Sequence, residues 1–140
     1  MMPFAGANLI YGQYDMGGTP SVKNWGSRNL ILNTEIIAYF RDQVLPPDRY
    51  GPESYQDPEI SVMYKPLHDL CPALFTVGTL DPLIDDSLLM ASRWLAARNP
   101  AELAIYPGGI HVFDMFPQLS IAKQANARID RFMLDAPATD

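Results

Sequence analysis

Two short stretches of this sequence carry residues that could work together as an acid and a base. His111, one of only two histidines, follows the Pro-Gly-Gly of "LAIYPGGIHVF", and Asp81 follows an apolar run at the start of "DPLIDDS". A carboxylate that accepts a hydrogen bond from an imidazole fixes its tautomer and stabilises its protonated form, as a general base requires. Each residue also has an ordinary explanation, since the histidine could fill a gap beside a turn and the aspartate could cap a turn or helix.

The elements that would bring these residues together are short apolar runs typical of buried parallel strands. Such runs span residues 5–11, 73–78 and 102–106. The second run precedes Asp81, and the third precedes the Pro-Gly-Gly turn before His111. Because the carboxyl ends of parallel strands meet at one edge of a sheet, the two side chains are expected to lie about 2.6 to 3.2 Å apart there.

Two helices are predicted, one after each of the last two strands. The first is indicated by "DDSLLMASRWLAARN", whose acidic start suits a helix N-terminus, and the second by "QLSIAKQANARIDRFML". Alternating strands and helices predict an α/β fold of three parallel strands with flanking helices. The predicted apolar faces are Leu88, Leu89, Trp94 and Leu95 in the first helix, and Ile121, Ala125, Ile129 and Phe132 in the second.

A long insertion separates the first predicted strand from the second. Six of the 13 prolines fall within residues 46–72, which favours extended, restrained loops. One helix is predicted near residues 30–40, with Ile36, Ile37 and Phe40 as its apolar members. Segments of this length serve as lids or binding loops in many proteins. An insertion that only packs against the rest of the domain and has no function fits the composition equally well.

Composition narrows the classes of partner. A net charge of −6 argues against nucleic acid as the main partner, because phosphate binding needs a basic surface. The single cysteine, Cys71, cannot form an internal disulfide and is interpreted as a small core residue. Neither a signal peptide nor a membrane span is evident in "MMPFAGANLIYG", so we expect a cytoplasmic protein without a membrane partner. No metal or cofactor is implied, since one cysteine and two distant histidines form no ligand cluster, and His68 is assigned no role.

The segments "ALFTVGTLDPLIDDSLLMASRW" and "AELAIYPGGIHVFDMFP" together resemble the C-terminal part of α/β-hydrolases of the hormone-sensitive-lipase-like (acetyl esterase/lipase) family. The stretch "AGANLIYGQYD" resembles the preceding strand of that family, so the resemblance covers nearly the whole chain. It implies that residues 1–140 are the C-terminal portion of a single α/β-hydrolase domain. Residues 15–66 would then form a cap-like insertion over an acyl pocket.

The resemblance also implies an activity, carboxylic-ester hydrolysis by a serine nucleophile. Asp81 would be the acid and His111 the base, while Asp85 and Asp86 would be supporting groups near a helix start. The neighbours of the histidine, Ile110 and Val112, would line the substrate pocket.

Several features of the family pattern are missing from the sequence. No Gly-x-Ser-x-Gly nucleophile motif and no His-Gly-Gly stretch for an oxyanion hole occur in the 140 residues. The seven serines lack the nucleophile context, and Ser87 is explained by a helix start. Val112 stands where the family usually has a small residue, which could crowd the pocket mouth. Val62 and Cys71 stand where prolines are expected, which could loosen the cap loop.

Without a nucleophile or oxyanion donors, an aspartate–histidine pair has nothing to deprotonate and no means to stabilise negative charge. Three interpretations remain open. In the first, the chain is a truncated or split esterase that acts on a small ester only when an N-terminal half completes it. In the second, it is a non-catalytic binding or dimerising module. In the third, it recruits another nucleophile. An unpaired sheet edge beside residues 8–11 is expected to favour pairing with another segment or self-association.

Overall fold

Three parallel strands form the centre of the fold, and the computed structural model describes residues 4–136. The strands are β1 (Ala7–Ile10), β2 (Ala73–Leu80) and β3 (Ala101–Ile110), in the spatial order β1-β2-β3. β1 and β2 pair from Ala7 opposite Ala73, and β2 and β3 pair from Ala73 opposite Ala101. The predicted α/β class with three parallel strands is confirmed.

Helices cover both faces of this sheet. Because neighbouring side chains of a strand point to opposite faces, Phe75 packs with Met90 and Trp94 of α3 (Ile84–Ala96), whereas Leu74 packs with Ala125 of α4 (Ser120–Asp135). The predicted apolar face of the last helix is confirmed, since its members lie in or against the second of these cores. Those members are Ile121, Ala125, Ile129 and Phe132.

The predicted apolar face of α3 is wrong in part. Leu89 and Leu95 are 47% and 55% exposed, and the buried face instead comprises Asp86, Ser87, Met90, Ala91 and Trp94. Met90, Ala91 and Trp94 pack in the core with Phe75, and on the same side of the helix the buried Asp86 carboxylate accepts from the N–H of Tyr14 and the hydroxyl of Thr19. A pattern of apolar residues alone cannot show that an aspartate belongs to the buried face.

The Pro-Gly-Gly sequence before His111 is not a turn, contrary to the prediction. β3 continues through it to Ile110, with a register shift opposite Gly78 and Leu80 that marks a bulge. Gly108 has a φ of +77°, and its N–H donates to Thr79 Oγ1 at 2.9 Å. A side chain on Gly78 would collide with the carbonyl of Gly109, so only glycine allows this close approach of the two strand ends.

The insertion between β1 and β2 contains two helices, α1 (Pro20–Asn24) and α2 (Thr34–Val44), and two 3-10 turns at Pro52–Gln56 and Val62–Tyr64. The helix predicted at residues 30–40 begins and ends four residues later. Its start follows from Asn33, whose side chain caps the helix by accepting from the N–H of Ile36. Ile37 is buried as predicted, but Phe40 is 58% exposed. None of the helices in the described part of the chain is both long and apolar enough to cross a membrane.

Candidate active site

Asp81 and His111 are each the first residue after a strand, and the carboxyl ends of β2 and β3 bring them together. Asp81 Oδ2 lies 2.9 Å from His111 Nδ1, within the distance expected from the sequence. The Asp81 side chain is fully buried, whereas the His111 side chain is 16% exposed. The pair therefore has a buried carboxylate beneath an imidazole that reaches the surface.

The second oxygen of Asp81 is also bonded. Oδ1 accepts from the backbone N–H of Leu83 at 2.9 Å, so the aspartate supports the turn before α3 as well as the histidine. Because a carboxylate accepts hydrogen bonds, the neutral imidazole that donates to Asp81 is the tautomer with its proton on Nδ1, and this tautomer leaves Nε2 as the acceptor. This tautomer is the one that a general base needs.

The two neighbours of His111 differ in their environment. Ile110 is half-buried and packs against the core that contains Leu74 and Phe113. Val112 has φ 59° and ψ 23°, the left-handed region that a β-branched residue rarely adopts. This backbone conformation gives a physical reason for the small residue expected at that position. The pocket-lining role of Ile110 and Val112 stays a prediction.

Tyr11 lies beside His111, although no pattern in the sequence predicts a role for it. Its ring centroid lies 4.4 Å from that of His111 in an edge-to-face arrangement with an interplanar angle of 61°. Its hydroxyl donates to Asp114 Oδ1 at 3.0 Å. Burial, then this bond to Asp114, then the charges of Asp114 and Asp81 raise the pKa of Tyr11, which keeps the hydroxyl protonated. The available signal was its position at the end of the first strand, at the same sheet edge as the pair.

Asp86 and Asp85 join the insertion to the start of α3. The buried Asp86 accepts from the N–H groups of Tyr14 and Asp15 at 2.7 and 2.9 Å and from the Thr19 hydroxyl at 2.8 Å. Burial raises the pKa of Asp86, although these hydrogen bonds oppose that shift. Asp85 Oδ2 accepts from the N–H of Ser21 at 2.8 Å. Both aspartates hold the loop that follows β1 in place.

The remaining polar candidates lie apart from this pair. His68 is 78% exposed and contacts Asp69 at 3.3 Å. Ser87 is fully buried in the first turns of α3, but its hydroxyl makes no hydrogen bond to any residue that the structure describes and does not cap the helix, so the helix-start role expected for it is not seen. Among residues 4–136, no group of three or more His, Cys, Asp or Glu side chains could hold a metal ion.

Comparison with known proteins relates the chain to a family of enzymes. The family model for the alpha/beta hydrolase fold matches residues 2–115. An acetyl esterase of Salmonella typhi is 29% identical over 106 residues, which make up 75% of this chain and 32% of that protein. Acetyl esterase activity is a property of that relative.

Solved esterase structures are similar to this fold. An esterase of Pyrobaculum calidifontis is 26% identical, with a TM-score of 0.78 over 95% of this chain and 44% of that one. A hormone-sensitive lipase from a metagenome library is 26% identical, with a TM-score of 0.81 over 95% of this chain and 45% of that one. The chain spans about a third of the acetyl esterase and less than half of these two proteins. By its sequence and fold, the chain belongs to the alpha/beta hydrolase fold family and is of the hormone-sensitive-lipase-like type.

Proposed function

We propose that Asp81 and His111 are the acid and the base of a serine carboxylic-ester hydrolase whose nucleophile lies outside these 140 residues. The observation that carries this proposal is the 2.9 Å bond between Asp81 Oδ2 and His111 Nδ1 at the carboxyl ends of adjacent parallel strands. The chain order, aspartate before histidine, is also the order of the last two triad members in this fold.

The chemistry assigned to the pair is proton transfer. His111 Nε2 would take the proton of the serine hydroxyl as it attacks the ester carbonyl, and would then return a proton to the leaving alcohol. Asp81 would stabilise the imidazolium that forms between these steps. The sequence contains neither the Gly-x-Ser-x-Gly nucleophile motif nor the His-Gly-Gly motif of an oxyanion hole. We therefore propose that the chain alone is inactive.

The segment that supplies the nucleophile is proposed to pair along the free side of β1. Within the described residues, β1 pairs only with β2. A strand that follows the free side of β1 would satisfy its outward backbone groups and would place a nucleophile near the carboxyl ends of β1 and β2. We further propose a cytoplasmic location, because the single cysteine forms no internal disulfide.

The test is a fusion of this chain to the part of the Pyrobaculum calidifontis esterase that it does not cover, which we call the completed enzyme. We expect it to hydrolyse p-nitrophenyl acetate, and we expect His111→Ala to lower kcat by at least about a thousandfold. His68→Ala is the matched control, because this histidine also contacts an aspartate but is exposed. If the wild-type fusion is active and His111→Ala retains that activity, His111 is not the base.

The second candidate function is a non-catalytic binding or dimerising module. The absence of a Gly-x-Ser-x-Gly motif from the sequence favours it. A well-behaved monomer that melts cooperatively would indicate a self-sufficient domain, and this function would then be preferred over that of an incomplete esterase.

A further inference from the structure

We propose that Tyr11 and Asp114 are positioning residues for His111, an inference that rests on the function proposed above. Tyr11 contacts the imidazole with its ring and, through its hydroxyl, the turn that follows the histidine. The two contacts together would hold both the ring and the backbone that carries it. No motif in the sequence points to either residue.

Residues from two neighbouring loops contact the imidazole of His111. Asp81, after β2, bonds to Nδ1 of the imidazole, while Tyr11, directly after β1, packs against the same ring at a centroid distance of 4.4 Å. The bond to Asp81 fixes one atom but leaves the ring free to tilt about it. An aromatic neighbour in edge-to-face contact restricts that tilt. The direction of Nε2 therefore depends on Tyr11.

The Tyr11 hydroxyl extends this support to the backbone after the histidine. It donates to Asp114 Oδ1 at 3.0 Å, and Asp114 lies in the 3-10 turn Phe113–Met115. The carbonyl of Asp114 in turn accepts from Asn126 Nδ2 at 3.0 Å, which connects the turn to α4. The segment from His111 to the end of the 3-10 turn is thus connected to both β1 and α4.

Backbone strain on both sides of this contact agrees with a positioning role. Tyr11 has a φ of 37° and Val112 has a φ of 59°, although neither is a glycine. Such conformations persist only where surrounding contacts determine them, and they concentrate at functional sites. At Tyr11 those contacts include the donation of its N–H to the carbonyl of Thr76 at 2.7 Å.

Histidine NMR on the full chain tests this proposal without any need for activity. With ¹⁵N-labelled histidine, only two imidazoles contribute. We expect His111 to show a single tautomer with the proton on Nδ1 and a low-field Nδ1–H signal. In Tyr11→Leu, which lacks the ring and the hydroxyl, that signal should disappear and the nitrogen shifts should move to the average of a free imidazole.

Two further variants separate the ring from the hydroxyl. Tyr11→Phe keeps the ring and loses the bond to Asp114, and Asp114→Ala removes the acceptor. Both should retain the Nδ1–H tautomer while this proton exchanges about fivefold faster, the factor that corresponds to one hydrogen bond of ordinary net strength. Exchange of the imidazole C2 hydrogen, read by mass spectrometry, gives a second measure that also works for self-associated protein.

His68 is the internal control, and Tyr39→Leu, which changes an exposed tyrosine on α2, is the matched variant. Neither the His68 signals nor the spectra of Tyr39→Leu should change. The proposal is overturned if Tyr11→Leu and Tyr11→Phe both leave the tautomer and the exchange rates of His111 at their wild-type values. Should Tyr11→Leu unfold the chain, Tyr11→Phe and Asp114→Ala still decide the question.

The completed enzyme distinguishes a failure of this inference from a failure of the proposed function. Tyr11→Leu should lower kcat and leave KM nearly unchanged, with partial recovery in Tyr11→Phe. An inactive wild-type fusion would count against the proposed function, whereas full kcat in Tyr11→Leu would count only against the positioning role.

Discussion

The backbone N–H groups of Ala7 and Tyr11 both donate toward β2, to the carbonyls of Pro72, directly before this strand, and Thr76, within it, at 2.8 and 2.7 Å. Because N–H groups alternate in direction along a strand, those of Asn8 and Ile10 point away from β2, along the free side of β1. This relationship identifies the backbone groups that a further strand would use.

Association of the isolated chain should therefore depend on Asn8. We expect light scattering to give a mass of at least two chains for the wild type, and a smaller mass for Asn8→Pro, which removes an outward donor without breaking a bond to β2. Leu9→Pro is the control, since its inward N–H should be needed for the sheet. Equal masses for the wild type and Asn8→Pro would exclude this edge as the site of association.

A second prediction concerns the strained residue after the histidine. Val112→Gly should raise the free energy of unfolding by about 1 kcal/mol, because relief of a β-branched residue at positive φ outweighs the greater freedom of glycine in the unfolded chain. Urea denaturation measures this change. Val62→Gly, at a position where φ is not positive, should be destabilising instead. Loss of stability in both variants would show that Val112 is not under strain.

The buried carboxylate of Asp86 gives a third prediction. Asp86→Ala should cost about 3 kcal/mol of unfolding free energy, because the N–H groups of Tyr14 and Asp15 and the Thr19 hydroxyl lose their acceptor. Asp86→Asn keeps an oxygen for the two N–H groups and should cost less. Urea denaturation of the two variants at neutral pH measures the difference, and equal losses would argue against the role of these bonds.

The pH dependence of stability provides a separate test of Asp86. Its pKa is raised in the folded state, so the folded chain takes up this proton at a higher pH than the unfolded chain. The stability of the wild type relative to Asp86→Asn should therefore increase as the pH falls through the raised pKa, and should level off below the ordinary value of 3.8. A constant difference between the two proteins across that range would contradict the raised pKa.

Features that depend on local pattern could be predicted from the sequence, whereas those that depend on tertiary contacts could not. The three strands and the α4 face followed from apolar spacing, and the meeting of Asp81 and His111 followed from their places after parallel strands. The place of Asp86 on the buried face of α3 could not be predicted, because its hydrogen-bond partners lie in a loop about 70 residues earlier in the chain, with separations of 67 to 72.

The structure at the ends of β3 and β1 could not be predicted from local sequence pattern either. Pro-Gly-Gly usually indicates a turn, but the close approach of Gly78 to Gly109 and the bond from Gly108 to Thr79 make it a bulge in β3. Tyr11 could not be assigned to the site because its partner Asp114 is 103 residues away in sequence. Both results arise from contacts between distant segments.

The isolated chain provides a fourth prediction. Its hydrolysis of p-nitrophenyl acetate should remain at the buffer rate, and a serine-directed phosphonate should label none of its residues, because no serine lies in a nucleophile motif. Turnover by the isolated chain that disappears in His111→Ala, together with labelling of one serine, would instead show that the chain recruits its own nucleophile.

We expect the bond between Asp81 and His111 to serve catalysis, and the Asp81→Asn variant of the completed enzyme is the test of that role. An asparagine can turn its amide N–H toward the histidine and so stabilise the wrong tautomer, which should lower kcat by about four orders of magnitude with little change in KM. Asp69→Asn, in the exposed aspartate–histidine pair, should retain the kcat of the unmodified fusion. An active fusion in which Asp81→Asn keeps the full kcat would contradict a catalytic role for this bond.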